Sequence, residues 1–218
     1  MTDKPPPLPR ALWIGLFLVL ILLGLAYALS LAGLRGHRHS LSPVLGTVDE
    51  FKLMDQDGRL ITRADLSNHV WVADIIFTRC AGSCPIMSRS MKSLQDALPP
   101  ASGAKLVTLT TDPDFDTPMV LKQYAERYGA DSNRWIFLTG PKVDLARLAA
   151  NSLKLSATPI QPEDQQNPAD LFVHSTMFVV VDKQARLRAV FQTQGDGVEW
   201  SKIQPRIVAA VAQLEREP

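Results

Sequence analysis

Apolar and polar positions divide the chain into two unequal parts. From Ala11 to Leu34 there is no charged residue and the run is rich in leucine. From Gly46 onward, short apolar runs alternate with polar stretches. As an α-helix, residues 11–34 would extend about 36 Å, more than the roughly 30 Å of bilayer hydrocarbon. The pattern predicts a transmembrane helix with some tilt, with Trp13 and Tyr27 near the two interfaces. A cleaved signal peptide is the alternative, with Lys4 and Arg10 as its basic start and Ala26-Tyr27-Ala28 as its cleavage site. The apolar run continues well past that site, which favours an anchor. The expected organisation is a cytoplasmic tail over 1–10, an anchor over 11–34, a linker over 35–45 and a folded domain over 46–215.

Within the domain, 49–62 reads as a hairpin around the turn signal Asp55-Gln56-Asp57-Gly58. Val70 to Phe77 (VWVADIIF) is a dense β-branched run, as expected of a strand covered on both faces. Thr78 to Cys84 is then a loop, and Pro85 opens a helix that Pro99-Pro100 stops. A second central strand covers Lys105–Thr111. Thr117 can cap a helix with Pro118 in its first turn, and Gly129 ends it. A third strand at Trp135–Leu138 precedes another helix. The polar, Pro-containing stretch Ser156–Ala169 reads as a loop, and His174 leads into a fourth strand, Met177–Val181. A hairpin partner at Leu187–Phe191 and a closing helix over Glu199–Leu214 complete the pattern. Strands alternating with helices predict an α/β fold: a thioredoxin-like domain with a mostly parallel central sheet and an antiparallel edge hairpin.

Composition narrows the function classes. Formal net charge is +1 over 218 residues. The first 40 residues carry a net +3 (Lys4, Arg10, Arg35 and Arg38 against Asp3), which leaves −2 on the rest, so the domain is slightly acidic. That gives no footprint for nucleic acid. Lys4 and Arg10 at one end of the apolar run nearly balance Arg35 and Arg38 at the other, so charge does not set orientation. The two cysteines, Cys80 and Cys84, cannot build a disulfide scaffold, and so short a loop would constrain the unfolded chain little. They read as chemistry, which places the domain outside the cytoplasm: the periplasm, with the anchor in the inner membrane, in a Gram-negative cell.

Cys80-Ala81-Gly82-Ser83-Cys84 stands directly before a helix, whose free amides and dipole favour thiolate. Two sulfurs do not complete a soft-metal site. Of four histidines, His37 and His39 lie in the linker, and His69 precedes the first core strand. His174 is left as the third candidate, at the level of the cysteine loop. Two thiolates with one imidazole suit copper, Cu(I) or Cu(II), with zinc as competitor. Met87, Met91 and Met177 offer thioethers, but the spacing of the first two fits core packing better. Asp74 interrupts the first core strand. Burial there disfavours its charged form, so it is either a proton acceptor for thiol–disulfide exchange or a satisfied structural carboxylate.

These residues fall into four ordered motifs: Phe77-Thr78-x-Cys80-x-x-x-Cys84-Pro85; Asp112-Pro113-x-x-Asp116-Thr117-Pro118 followed by Leu121 and Tyr124; Trp135-x-Phe137-Leu138-Thr139-Gly140; and His174-Ser175 before a strand ending Val181-Asp182. Together they make the chain resemble the SCO/SenC family of copper-binding thioredoxin-like proteins, from about Gly46 to Leu214. The resemblance implies copper on Cys80, Cys84 and His174, a single N-terminal anchor, and a role in maturing the dinuclear copper site of cytochrome c oxidase. Its copper-site subunit would be the partner, alongside other periplasmic copper chaperones or thiol reductases. A metallochaperone stands ahead of an enzyme. The alternatives are a thiol–disulfide oxidoreductase that reduces the acceptor's cysteines, and a redox or copper sensor. Two positions depart from the family pattern: Ala81, where Pro is common, and Val173, where Asp is common.

Overall fold

The computed structural model describes residues 15, 17–27, 43–159 and 172–217; the side chains at 157–159 and 172–174 are outside that description. The chain divides into two units, Met1–Ser42 and Pro43–Pro218. In the first, residues 17–27 are helical. Among the described residues, no helix is long and apolar enough to cross a membrane.

The second unit is built on one eight-stranded sheet. Its strands are β1 (Gly46–Thr47), β2 (Lys52–Asp55), β3 (Leu60–Thr62), β4 (Trp71–Ile76), β5 (Lys105–Thr110), β6 (Trp135–Thr139), β9 (Met177–Val181) and β10 (Arg186–Gln192). Two short strands, β7 (Ala157–Pro159) and β8 (Phe172–His174), pair separately. The helices are α1 (Arg63–Leu66), α2 (Ser83–Ala97), α3 (Pro118–Arg127), α4 (Lys142–Ala146), which continues as a π-helical turn over Arg147–Ser152, and α5 (Trp200–Arg216).

The order across the sheet is β1-β10-β9-β4-β5-β6-β2-β3. Only β4–β5 and β5–β6 are parallel, while five pairings are antiparallel. The expectation of a mostly parallel sheet is therefore corrected to a mixed one. Parallel neighbours need a crossover helix, and only α2 and α3 provide one between core strands. The two hairpins, β2–β3 and β9–β10, return directly and add antiparallel strands to opposite sides.

Alternation along the central strands separates two cores. Val72, Ile76, Leu106, Trp135, Phe137, Phe178 and Val180 face α2, α3 and α5. Trp71, Ala73, Ile75, Val107, Leu109, Leu138 and Val181 face the α4 side. Helix α2 follows from Met87, Met91 and Leu94 at helical spacing, all fully buried. Helix α3 starts where expected: Thr117 accepts a hydrogen bond from the Val120 amide at 3.4 Å, and Pro118 occupies the first turn. Gly140 is required by close approach as well as by φ. At φ +156, a Cβ there would meet Leu53 Cδ2 at 2.9 Å.

Candidate functional site

The cysteine loop leaves the C-terminal end of β4. Phe77 turns the chain, its carbonyl accepting from the Cys80 amide at 3.2 Å. Gly82 caps α2, so the helix begins at Ser83 and Cys84 lies inside its first turn, one step further in than the sequence suggests. Neither cysteine is in a disulfide; Cys80 is half-buried and Cys84 is fully buried. The structure brings them together: a hydrogen bond with Cys80 pushes the Cys84 thiol upward, burial adds to this, and the Phe77 amide opposes it. The expected preference of the helix start for thiolate is therefore overruled at Cys84, which keeps its proton.

A second loop braces this one. Asp116 is fully buried and accepts from the Thr78 amide at 3.1 Å, from the Thr78 hydroxyl, and from the Thr110 hydroxyl at 2.5 Å. Burial pushes its carboxyl up, and the threonine hydrogen bonds offset part of that. Arg79 pairs with Asp112 at 2.6 Å, and its guanidinium lies 4.2 Å from the Phe115 ring centroid. Gln194 reaches the same region, donating to the Ser83 carbonyl at 3.0 Å. Thr78 and Asp116 stand in the motifs that carry the family resemblance, but the sequence assigns neither of them, nor Arg79, a contact. The signal was available in the spacing of Asp112 and Asp116, but nothing in a sequence says which loop a buried carboxylate holds.

Asp74 is fully buried on the face shared by Val72 and Ile76. Thr108, opposite it in the β4–β5 register, donates to Asp74 Oδ1 at 2.6 Å. Trp135 Nε1 donates in turn to Thr108 Oγ1 at 2.9 Å. The Asp74 carboxylate also acts on the nearby Cys84 thiol, holding it up. Asp74 is thus a hydrogen-bonded carboxylate close to the buried sulfur.

His174 does not open β9 but ends β8, opposite Ala157. The stretch expected to be a loop from Ser156 therefore contains a strand, extended by the Ser175 amide donating to the Ser156 carbonyl at 2.8 Å. β9 runs antiparallel to β4, with Ala73 against Val179. The N-terminal end of β9, just after His174, therefore lies at the end of β4 from which the cysteine loop departs. The His174 side chain is outside the described residues, as are His37 and His39. Among the described residues, no three of His, Cys, Asp and Glu gather as a metal cluster. His69 lies at the other end of β4, its Nδ1 2.8 Å from the Gly103 carbonyl. Met87 and Met91 are core residues, and Met177 packs on the opposite face. A cleft of about 510 Å³ opens on that opposite face, at Phe51, Lys52, Arg147 and Leu148, and shares no residue with the thiol loop.

Comparison with known proteins agrees with this architecture. The family model described as SCO1/SenC matches residues 41–208. The SCO1 protein homolog of Bacillus subtilis is 30% identical over 148 residues, covering 67% of this chain and 74% of that protein. Among solved structures, BsSco, a member of the Sco family of cytochrome c oxidase assembly proteins in which a disulfide switch was identified, has a TM-score of 0.67 at 24% identity, covering 82% of this chain and 99% of that one. ScoI of Bradyrhizobium japonicum, solved with copper bound, has a TM-score of 0.63 at 18% identity, covering 77% and 99%. At such identities the structural likeness is one of fold.

Proposed function

The chain belongs to the SCO1/SenC family, and from that premise we propose that it is a membrane-anchored copper-binding protein that assists assembly of the dinuclear copper site of cytochrome c oxidase. Copper is its cargo, and Cys80, Cys84 and His174 are the ligands. The observation that carries this reading is the pair of reduced, hydrogen-bonded thiols at the start of α2. Two soft sulfur donors favour copper or zinc over hard cations, and a copper-bound structure exists for the Bradyrhizobium relative. The apolar run over 11–34 supports the anchor, and thiol chemistry supports a domain outside the cytoplasm, in the periplasm of a Gram-negative cell.

The test is copper titration of the reduced full-length protein in detergent, followed by absorption and EPR spectra. One copper per chain is expected, with sulfur-to-copper charge transfer in the Cu(II) form. Binding no tighter than that of a variant lacking both cysteines would overturn the reading.

A second reading rests on the unequal burial of the two thiols. The half-buried Cys80 thiolate would attack an acceptor disulfide, releasing one acceptor thiol and forming a mixed disulfide. The Cys84 sulfur, after losing its proton, would then displace the second acceptor thiol and leave a Cys80–Cys84 disulfide. Two electrons pass to the acceptor, which gains two protons. The two activities are compatible, because the oxidised pair cannot hold copper.

A further inference from the structure

We propose that Asp116 is a positioning residue for the thiol pair: by clamping the Thr78 turn to the end of β5, it sets how Cys80 meets Cys84 and so the balance between dithiol and disulfide. The inference rests on the reading that Cys80 and Cys84 are the working pair.

The geometry is specific. One fully buried carboxylate takes both the amide and the hydroxyl of Thr78, two residues before Cys80. The same carboxylate takes the Thr110 hydroxyl from the last residue of β5. The Thr110 oxygen accepts from the Asp112 amide at 2.9 Å while its proton goes to Asp116. The turn leading into Cys80 is thus held twice, by Asp116 through Thr78 and by the Phe77 carbonyl on the Cys80 amide. Arg79 pairs with Asp112, and among the described residues no cation pairs with Asp116, so the clamp is a hydrogen-bond device. A disulfide tolerates a narrow range of Cβ separation, and small misplacements of reacting groups carry large costs. A turn free to move by even an ångström or so lowers the effective concentration of one sulfur at the other.

The experiment equilibrates full-length protein in glutathione redox buffers and traps the Cys80–Cys84 disulfide by alkylation, with thermal unfolding recorded in parallel. Asp116→Ala is expected to lower the equilibrium constant for disulfide formation by about tenfold, about 30 mV for a two-electron couple. Asp116→Asn keeps the shape and an acceptor oxygen, and should stay within about threefold of wild type. Gln56→Ala serves as the stability control. It removes bonds to the Trp135 carbonyl and the Phe137 amide and should lower the melting temperature without moving the constant. A wild-type constant in Asp116→Ala, or an equal shift in Gln56→Ala, overturns the clamp. Should Asp116→Ala fail to fold, Thr78→Val removes only the hydroxyl bond and should shift the constant in the same direction by a smaller factor; no shift overturns the proposal. A wild-type protein that forms no reversible Cys80–Cys84 disulfide would overturn the thiol-pair reading together with the clamp, whereas a normal wild-type couple with unmoved variants overturns the clamp alone.

Discussion

Asp74 and Thr108 face each other across the parallel β4–β5 ladder, and the Thr108 hydroxyl donates to Asp74 Oδ1 at 2.6 Å. Trp135 Nε1 donates to the same oxygen of Thr108, so the hydroxyl links the indole to Asp74. Thr108→Val preserves shape and removes both links. Denying buried polar groups their partners costs about 1–3 kcal/mol. We expect a lower urea midpoint at unchanged slope, and a midpoint equal to wild type would show that the chain of bonds does not stabilise the fold.

The two thiols should react unequally. Cys84 is fully buried, and its thiol is pushed up by the bond with Cys80 and by burial, whereas Cys80 is half-buried. Iodoacetamide near neutral pH should therefore modify Cys80 first, and Cys80→Ser protein should react about tenfold more slowly. Mass mapping checks this; equal labelling of both sites would contradict it. The raised native value also fixes a pH dependence. The stability gained from keeping Cys84 neutral is fully present below the unfolded thiol range, near 8.5, and is lost as pH rises above it. The urea midpoint of wild type should fall toward that of Cys84→Ser as pH is raised.

At the far end of the β9–β10 hairpin, three buried charges tie the chain terminus to the sheet. Arg188 Nη1 donates to Asp182 Oδ2 at 2.7 Å and to Glu217 Oε2 at 2.8 Å. Burial alone would raise Asp182, but hydrogen bonds from Arg188 and Arg186 outweigh it and leave the carboxyl below its usual range. Its contribution to stability is then present above the unfolded value, about 4, and is lost as pH falls through the lowered native value. Acid titration of the urea midpoint should show that loss, and Asp182→Asn should flatten it. Arg188→Met leaves buried carboxylates short of a cation and should cost about 3–5 kcal/mol; a loss under about 1 kcal/mol would count against a coupled triad.

The core strands and crossover helices were legible because their signals are local. Val70–Phe77 could hardly be anything but a buried strand, and Thr117-Pro118 starts α3 as written. The mixed sheet was not legible, because pairing between β2 and β6 depends on two edges meeting through Met54 and Thr139. β7 is not legible because Ala157–Pro159 has strand geometry without strand composition, and β8 pairs only with it. At the site, the CxxxC spacing before a helix named both sulfurs. The bracing of Thr78 by Asp116 spans 38 residues of sequence and emerges only when β4 and β5 stand side by side.

His174 is the residue on which the copper reading and the exchange reading part. Thiol–disulfide exchange needs only Cys80 and Cys84, whereas a three-ligand copper site needs the imidazole. The backbone of His174 ends β8 and leads into β9 at the sheet end that carries the cysteine loop, so replacing it should leave the thiol pair undisturbed. On the proposed three-ligand site, His174→Ala should lose copper affinity by about a hundredfold or more, because the imidazole is removed and two sulfurs remain. The same variant should form the Cys80–Cys84 disulfide in the same glutathione buffer as wild type. Competition with a copper chelator measures the first quantity and alkylation trapping the second. Undiminished copper affinity would remove His174 from the ligand set, and a disulfide lost together with copper would mean that the substitution disturbs the cysteine loop itself.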